Sequence, residues 1–291
     1  MQDKIVLITG GTGGIGKQVA LTLAKMGAQV IVTGRNKVSG EAAVAEIKQA
    51  SGNPNVELLL ADLTKQSALR ALVAEFKARQ TRLDVLINNA GLAAEGRQVT
   101  EDGIESNFAV NVIAPFLLTK LLLDVLQAGP SARVINVTGG DVPRTLDLDN
   151  LQGERSFVGL TAYSQSKLAM MAVMYEFAQR LRGSTVTCNI CYPGQASTNM
   201  TRSVTRDMLP RGMRFMFPLF KLLVRPDGGK SAAKASQSSV YLASSPAVEG
   251  ATGRYYDRNC KEAALPPPVL DAAIRARLWQ LVEQLTTFSE N

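Results

Sequence analysis

Short apolar runs alternate along the first 190 residues with segments whose apolar residues recur every three or four positions. The apolar runs predict strands at residues 4–9, 29–33, 56–61, 83–87, 133–137 and 184–190. The intervening segments predict helices over residues 14–26, 38–50, 65–79, 103–126 and 156–182. Since the runs are apolar throughout, both faces of each strand are expected to be buried. The pattern therefore predicts an α/β fold, a doubly wound parallel sheet with helices on both faces.

The last third of the chain departs from this alternation. Residues 195–225 carry Met and Phe residues interleaved with five arginines and a lysine, and we expect them to form a helical lid. A helix over residues 227–243, a short strand at 254–256 and a final helix over 270–288 are predicted to follow. Because the chain shows no internal repeat and no low-complexity linker, we expect a single domain over residues 1–291.

The first predicted strand runs directly into a glycine-rich turn, Thr9-Gly10-Gly11-Thr12-Gly13-Gly14-Ile15-Gly16. Gly10 permits the tight turn, Gly14 lets the backbone approach a phosphate, and Gly16 lets the following helix pack closely. The N-terminus of that helix then faces the anion. This arrangement predicts a Rossmann-type site for the pyrophosphate of a dinucleotide.

The end of the second strand indicates which nicotinamide cofactor fits. A free ribose 2′-hydroxyl is normally bound there by Asp or Glu, but the chain reads Thr33-Gly34-Arg35-Asn36-Lys37. Arg35 supplies a guanidinium where a 2′-phosphate would lie, with Asn36 beside it. We therefore expect NADP(H); the alternative for Arg35 is an ordinary solvated arginine.

Polar residues also follow the third and fourth strands, at the sheet edge where ligands of this fold bind. Asp62 is placed to accept a hydrogen bond from an adenine amino group, with Leu63 next to it. Asn88-Asn89-Ala90-Gly91 follows the fourth strand and is expected to contact the cofactor and to brace the sheet. A purely structural role for the asparagine pair stays open.

Tyr163 and Lys167 are four residues apart on a predicted helix and therefore share one face. A neighbouring ammonium lowers the pKa of a phenol, which makes it a better acid and base near neutral pH. Together with a dinucleotide site, this pair predicts hydride transfer coupled to proton transfer. The chain has no histidine, which excludes a Ser-His-Asp triad and any His-ligated metal.

The cysteines, the apolar runs and the net charge limit which other kinds of site, location and partner the chain can have. Cys188 and Cys191 are three apart in a predicted strand and should point to opposite faces, so we expect buried thiols and no metal site. No uninterrupted apolar run of about 18 residues occurs, and the first strand begins too early for a signal peptide. We expect a cytoplasmic protein. Although the net charge is +7, no aromatic-rich nucleic-acid motif is present and no nucleic-acid partner is expected.

The glycine turn, Asp62, NNAG, Asn111, YSQSK and Pro193-Gly194 stand in the order and spacing of the short-chain dehydrogenase/reductases. The chain resembles that family over nearly its whole length. It is most similar to the branch that contains retinol dehydrogenases and light-dependent protochlorophyllide reductases, through residues 111–119, 149–154 and 166–169.

The resemblance implies roles for these residues. Tyr163 would be the proton donor or acceptor at the substrate oxygen, Lys167 would lower its pKa and hold the nicotinamide ribose, and Asn111 would anchor a water relay. Thr198 would touch the carboxamide of the nicotinamide. The other implied cofactor contacts are Gly10, Thr12, Gly13, Gly14, Ile15, Gly16, Asn89, Ala90, Gly91, Pro193, Gly194 and Ala196.

One departure from the family pattern concerns the serine that normally polarises the substrate oxygen. The corresponding run is Val137-Thr138-Gly139-Gly140-Asp141. Counting from the strand aligns that serine with Gly139, whereas counting back from Tyr163 aligns it with Thr138. Three interpretations are open. Thr138 supplies the hydroxyl, or the site lacks this hydroxyl and turns over slowly. In the third, the substrate does not need a hydroxyl to polarise its oxygen. We expect an enzyme that keeps the Tyr163 chemistry, with Thr138 among its catalytic residues.

The lid bears on substrate and partners. Its Met and Phe content favours a fairly large apolar substrate. Its basic residues fit a peripheral contact with an anionic membrane, an acidic group on the substrate, or simple solvation. The resemblance implies a homodimer or homotetramer, unless the C-terminal extension blocks it. The main hypothesis is an NADP(H)-dependent carbonyl reductase or alcohol dehydrogenase; the alternatives are a carbon–carbon double-bond reductase and a weakly active or non-catalytic NADP(H)-binding protein.

Overall fold

A computed structural model describes residues 1–139 and 143–287 and confirms the predicted α/β fold. Its sheet has eight strands in the order β3-β2-β1-β4-β5-β6-β7-β8, all parallel except β8, which is antiparallel to β7. The strands are β1 (Ile5–Ile8), β2 (Gln29–Gly34), β3 (Val56–Leu60), β4 (Val85–Asn88), β5 (Ala132–Val137), β6 (Val186–Cys191), β7 (Tyr255–Tyr256) and β8 (Glu262–Ala263). The two residues of β8 had not been predicted.

Helices cover both faces of the sheet. They are α1 (Gly14–Lys25), α2 (Lys37–Ser51), α3 (Gln66–Arg79), α4 (Ser106–Phe108), α5 (Ala114–Leu121), α6 (Leu123–Gln127), α7 (Gly159–Arg180), α8 (Asn199–Ser203), α9 (Phe217–Leu223), α10 (Lys230–Ala235), α11 (Gln237–Ser244), α12 (Pro267–Leu270) and α13 (Ala272–Thr286). One apolar core lies between the sheet and α3, α5, α7 and α13, and a second between the sheet and α1 and α11. Among the described residues, none of the helices combines the length and the hydropathy that a membrane span requires.

The long predicted helix over residues 103–126 is divided. It consists of α4, a π-helical turn at Ala109–Ile113, α5 and α6. The lid is likewise divided into α8, 3₁₀ turns at Arg206–Met208 and Arg211–Met216, and α9. The final predicted helix is α12 followed by α13, and its predicted last residue, Phe288, lies outside the described residues.

The two buried cysteines of β6 lie on opposite faces, as predicted. Cys188 packs in one core and Cys191 in the other. Burial raises the pKa of the Cys188 thiol to about 12 and that of Cys191 to about 11, so both are protonated at neutral pH.

The strand order reverses between β1 and its neighbour β4. The chain moves from β1 towards β2 and β3 on one side, and from β4 towards β5 and β6 on the other. This switch point opens a crevice beyond the carboxyl ends of the strands, where such sheets bind ligands. The glycine turn and the segment after β4 both lie there.

Candidate active site

The glycine turn after β1 has a backbone that side chains would not tolerate. Gly10 and Gly14 have φ of +64° and +51°, in the left-handed region. A side chain at Gly16 would place its Cβ 2.4 Å from both the Asn89 amide nitrogen and the Gly10 carbonyl oxygen. The start of α1 therefore lies directly against the turn, and its free N–H groups face the crevice.

Asn89 and Thr9 fix this turn to the end of β4. The Asn89 side-chain nitrogen donates to the carbonyls of Thr9 at 2.9 Å and Gly10 at 3.3 Å. The Thr9 hydroxyl accepts from the backbone nitrogens of Asn89 at 3.0 Å and Ala90 at 3.1 Å. Asn89 thus shapes the crevice floor through its side chain, which is the bracing role expected of the asparagine pair.

Asn88 has a different role from its neighbour. It is buried, and its side-chain nitrogen donates to Asn136 Oδ1 in β5 at 2.9 Å. Asn88 therefore braces β4 against β5 inside the sheet, away from the crevice.

The end of β2 carries the residues expected at the 2′-phosphate. Thr12 packs over Gly34, where a Cβ would lie 2.8 Å from the Thr12 methyl carbon. Arg35 is exposed and forms no ion pair within residues 1–139 and 143–287. Asn36 caps α2 by accepting from the backbone nitrogen of Ser39 at 3.0 Å. The Arg35 guanidinium is accordingly available to an anionic ligand.

Asp62 follows β3 and is held in a local turn. Its Oδ1 accepts from the backbone nitrogen of Thr64 at 3.0 Å and from the Thr64 hydroxyl at 2.8 Å. Burial alone would raise the pKa of this carboxyl, but those hydrogen bonds, with the charges of Arg35 and Lys65, hold the pKa below its usual value. Asp62 is therefore an ionised acceptor near Arg35, while Leu63 is buried in the core.

Tyr163 and Lys167 lie buried on one face of α7, next to the end of β5. The Lys167 ammonium nitrogen donates to the Val137 carbonyl at 3.0 Å. Burial lowers the pKa of Lys167 to about 8. The sequence placed the pair correctly but gave the wrong direction for the phenol, because burial, aided by Tyr192, raises the pKa of Tyr163.

Asn111 reaches the same place from the other side. It lies in the π-helical turn, a backbone form often found at functional sites. Its side-chain nitrogen donates to the Leu92 carbonyl at 2.8 Å and to the Ser166 hydroxyl at 2.9 Å, and its Oδ1 accepts from the Leu92 backbone nitrogen. A Cβ at Gly91 would lie 3.4 Å from the Lys167 ammonium and 3.5 Å from Asn111 Oδ1. The structure therefore brings Gly91, Asn111 and Lys167 together.

Gly139 lies against the phenol. A Cβ at Gly139 would be 2.5 Å from the Tyr163 hydroxyl oxygen. Thr138 is almost fully buried, and its hydroxyl has no hydrogen-bond partner in the described parts of the chain. Gly140 and Asp141 lie outside the described residues. The register that aligns Gly139 with the usual serine fits this geometry.

The start of the lid meets the glycine turn. Pro193 and Ala196 are buried, and Gly194 has a φ of +85°. Thr198 caps α8, and its methyl carbon would lie 3.0 Å from a Cβ at Gly14. A cavity of about 190 Å³ lies between α1, α8 and α10, and the cationic side chains Lys17 and Arg202 contribute to its lining. The expected residues after β6 are thus beside the turn.

Glu105 is a positioning residue that the sequence did not reveal. Its buried carboxylate accepts from the backbone nitrogens of Asn107 at 2.8 Å and Phe108 at 2.9 Å, which caps α4 just before the π-helical turn. Burial raises the pKa of Glu105, although the hydrogen bonds to its carboxylate act in the opposite direction. The sequence did not indicate a helix start here, because the apolar pattern predicts one continuous helix over residues 103–126.

Comparison with known proteins places this chain in a family. The family profile for short chain dehydrogenases matches residues 4–209. Human retinol dehydrogenase 14 is 38% identical, over 97% of this chain and 86% of that protein. Human polyprenol dehydrogenase is 34% identical, over 98% of this chain and 85% of that protein.

Solved structures give the same result. An uncharacterised protein from Mycobacterium paratuberculosis superimposes with a TM-score of 0.75 and 28% identity, over 98% of this chain and 94% of that one. The Pseudomonas aeruginosa RhlG/NADP active-site complex has a TM-score of 0.65 and 25% identity, over 88% of this chain and 95% of that one. This chain belongs to the short-chain dehydrogenase/reductase family, on its retinol dehydrogenase-like branch.

Proposed function

We propose that this oxidoreductase uses NADP(H) to transfer hydride to or from the carbonyl or alcohol carbon of a fairly large apolar substrate. The observation that carries the proposal is the convergence of the glycine turn, Gly91, Lys167 and Tyr163 at one edge of the sheet. The names of two relatives, a retinol and a polyprenol dehydrogenase, point to apolar alcohols.

The residues of the crevice fit a dinucleotide phosphate. The turn presents backbone N–H groups where no side chain intervenes, since nothing lies within 4 Å of a Cβ at Gly13. Arg35 would bind the 2′-phosphate, and Asp62 the adenine. When bound, the nicotinamide supplies or accepts the hydride. NADP is named in the complex of the related RhlG, which supports this choice of cofactor.

Tyr163 would hold the proton that the substrate oxygen gains in reduction. Because burial raises its pKa, the phenol keeps its proton at neutral pH until an oxyanion develops next to it. Lys167, with a pKa of about 8, would stabilise the phenolate that remains. Asn111 fixes Leu92 and Ser166 around this pair and would hold the proton relay in place.

Gly139 favours one alternative, reduction of a carbon–carbon double bond. No side chain at residue 139 offers a hydroxyl to a carbonyl oxygen beside Tyr163. Losing one such donor costs about 10²–10³ in rate when the reacting oxygen needs it. An enone whose reacting carbon lies away from the oxygen would be affected less.

The test is oxidation of NADPH with hydrophobic aldehydes, ketones and enones, retinaldehyde among them, by the wild type, Tyr163→Phe and Tyr175→Phe. Tyr175 lies on the same helix, where its ring stacks on Arg275, so it is the matched control. We expect turnover of aldehydes or ketones that only Tyr163→Phe abolishes. Turnover of enones alone would contradict the proposal and support reduction of a carbon–carbon double bond. Tight binding of NADPH without turnover of any substrate would contradict both reactions.

A further inference from the structure

The lid exposes apolar side chains on the face directed away from the protein. Eleven large apolar side chains are exposed in the described chain, and six of them lie within residues 213–223. We call this group the outer lid surface: Met213, Phe215, Met216, Leu219, Leu222 and Leu223. Phe215 is 77% exposed and Leu223 is 65% exposed. Such clustering marks an interaction site rather than the scattered exposure normal for a surface.

The other face of the lid is already packed. Phe217 and Phe220 contact the cluster formed by Val204, Met208 and Leu209. Helix α9 therefore carries apolar side chains on its exposed side as well as on its packed side, with Lys221 as its one charged residue. Its outer side lacks a partner within the described residues, so the partner is a separate phase or molecule.

Charge identifies the kind of partner. Residues 208–226 contain four basic side chains and no acidic one. Arg214 pairs with Asp207 at 3.1 Å, whereas Arg211 and Arg225 form no ion pair with any described residue. A second copy related by twofold symmetry would bring like charges together on this patch. An anionic lipid surface matches both the apolar side chains and the cations around them.

We propose that the outer lid surface docks peripherally on an anionic lipid bilayer, with its apolar side chains in the acyl boundary and Arg211 and Arg225 at the headgroups. The lid is tied to the cofactor crevice, because Ser197 Oγ donates to the Val224 carbonyl at 2.8 Å. Docking would thus place the crevice next to the lipid. The docking itself does not depend on the reaction proposed above.

The first experiment is co-sedimentation with vesicles of phosphatidylcholine, with and without phosphatidylserine. The wild type should bind the anionic vesicles, less tightly as salt is added. The triple variant Phe215→Ser, Leu219→Ser, Leu223→Ser should bind at least about tenfold more weakly. The control triple Val38→Ser, Val99→Ser, Leu270→Ser removes exposed apolar side chains elsewhere and should bind like the wild type.

The second experiment tests the cations with a control variant of the same net charge. Arg211→Gln with Arg225→Gln should weaken binding to anionic vesicles by about fivefold for each lost charge. Lys25→Gln with Arg182→Gln removes two exposed charges from elsewhere on the surface and should leave binding unchanged. Thermal unfolding of every variant shows whether a loss of binding reflects a loss of fold.

Three results would overturn the proposal. One is a wild type that does not sediment with anionic vesicles, and another is equal loss of binding in the lid variants and their controls. The third is an oligomer that the lid triple variant dissociates, without vesicle binding by the wild type, which would assign the surface to a second copy. Tyr163→Phe should bind vesicles normally, so failure of the proposed reaction is distinguishable from failure of docking.

Discussion

The segment after β4, on the cofactor side of the crevice, is fixed by side-chain hydrogen bonds that the described residues of the segment after β5, on the substrate side, lack. On the cofactor side, the side chains of Thr9 and Asn89 hold the glycine turn through hydrogen bonds of 2.9 to 3.3 Å. On the substrate side, the Thr138 hydroxyl has no partner in the described chain, and Gly139 offers no side chain. A cofactor shared by a family requires one fixed geometry, whereas the substrate side is free to differ from relative to relative.

The largest expected effect concerns the buried ammonium on the substrate side. The pKa of Lys167 falls from 10.5 to about 8 on folding, so the unfolded chain binds its proton more tightly. The destabilisation from this charge is complete below about pH 8 and disappears by about pH 10.5. The free energy of unfolding of the wild type should therefore gain about 3 kcal/mol relative to Lys167→Met across this range.

Urea denaturation of both proteins at several pH values measures this gain. In the unfolded chain the thiols of Cys188 and Cys191 lose their protons within the same range, but this contribution is largely common to both proteins and is removed by taking their difference. Parallel stability curves would show that Lys167 is not charged in a dry site.

Gly139→Ala tests the contact between residue 139 and the phenol. The added Cβ would displace the Tyr163 hydroxyl, and a displacement of about 1 Å can cost about 100-fold in kcat. Gly212→Ala is the matched control, since nothing lies within 4 Å of its Cβ. Steady-state kinetics should show the loss in kcat with little change in the KM for NADPH. A rate increase in Gly139→Ser would instead mean that the site lacks only a hydroxyl.

Gly16→Ala is the equivalent change on the cofactor side. Its Cβ would meet the Gly10 carbonyl oxygen, a backbone atom, so the turn itself must move, at a cost of about 1–3 kcal/mol. We expect a lower melting temperature and a weaker Kd for NADPH in fluorescence titrations. Unchanged cofactor affinity would remove the turn from the binding site.

Arg35→Asp should have the smallest effect. It replaces a cation by an anion at the expected 2′-phosphate and should reduce the preference for NADPH over NADH about tenfold or more. Lys48→Asp, an exposed change of the same charge on α2, should leave the preference intact. If both variants keep the wild-type ratio of kcat/KM values for the two cofactors, Arg35 has no part in the choice.

The sequence was sufficient where local pattern decides the structure. The positions of the first six strands, the glycine turn and the shared face of Tyr163 and Lys167 follow from short-range spacing. The sequence was insufficient where contacts between distant residues decide the local structure or the pKa of a side chain. The π-helical turn at Asn111 depends on the Glu105 cap and on Leu92, and the raised pKa of Tyr163 depends on burial. The position of Gly139 against the phenol depends on how α7 packs against the end of β5, and counting residues along the chain leaves two registers open.

Several statements about partners and location rest on the sequence alone. A homodimer or homotetramer, a cytoplasmic location and the absence of a nucleic-acid partner stay predictions. For the membrane contact through the basic lid, the structure defines the outer lid surface, and the variants described above test it. The basic residues alone left three interpretations open, and the exposed apolar side chains beside them favour the lipid surface.

The most direct test of the central claim uses NADPH in which both hydrogens at C4 of the nicotinamide are replaced by deuterium, with a hydrophobic aldehyde as acceptor. Mass spectrometry of the product should show deuterium on the carbinol carbon for the wild type and about 10²–10⁴ times less product for Tyr163→Phe, with NADPH binding retained. Product without deuterium, or equal labelled product from both proteins, would contradict hydride transfer assisted by Tyr163.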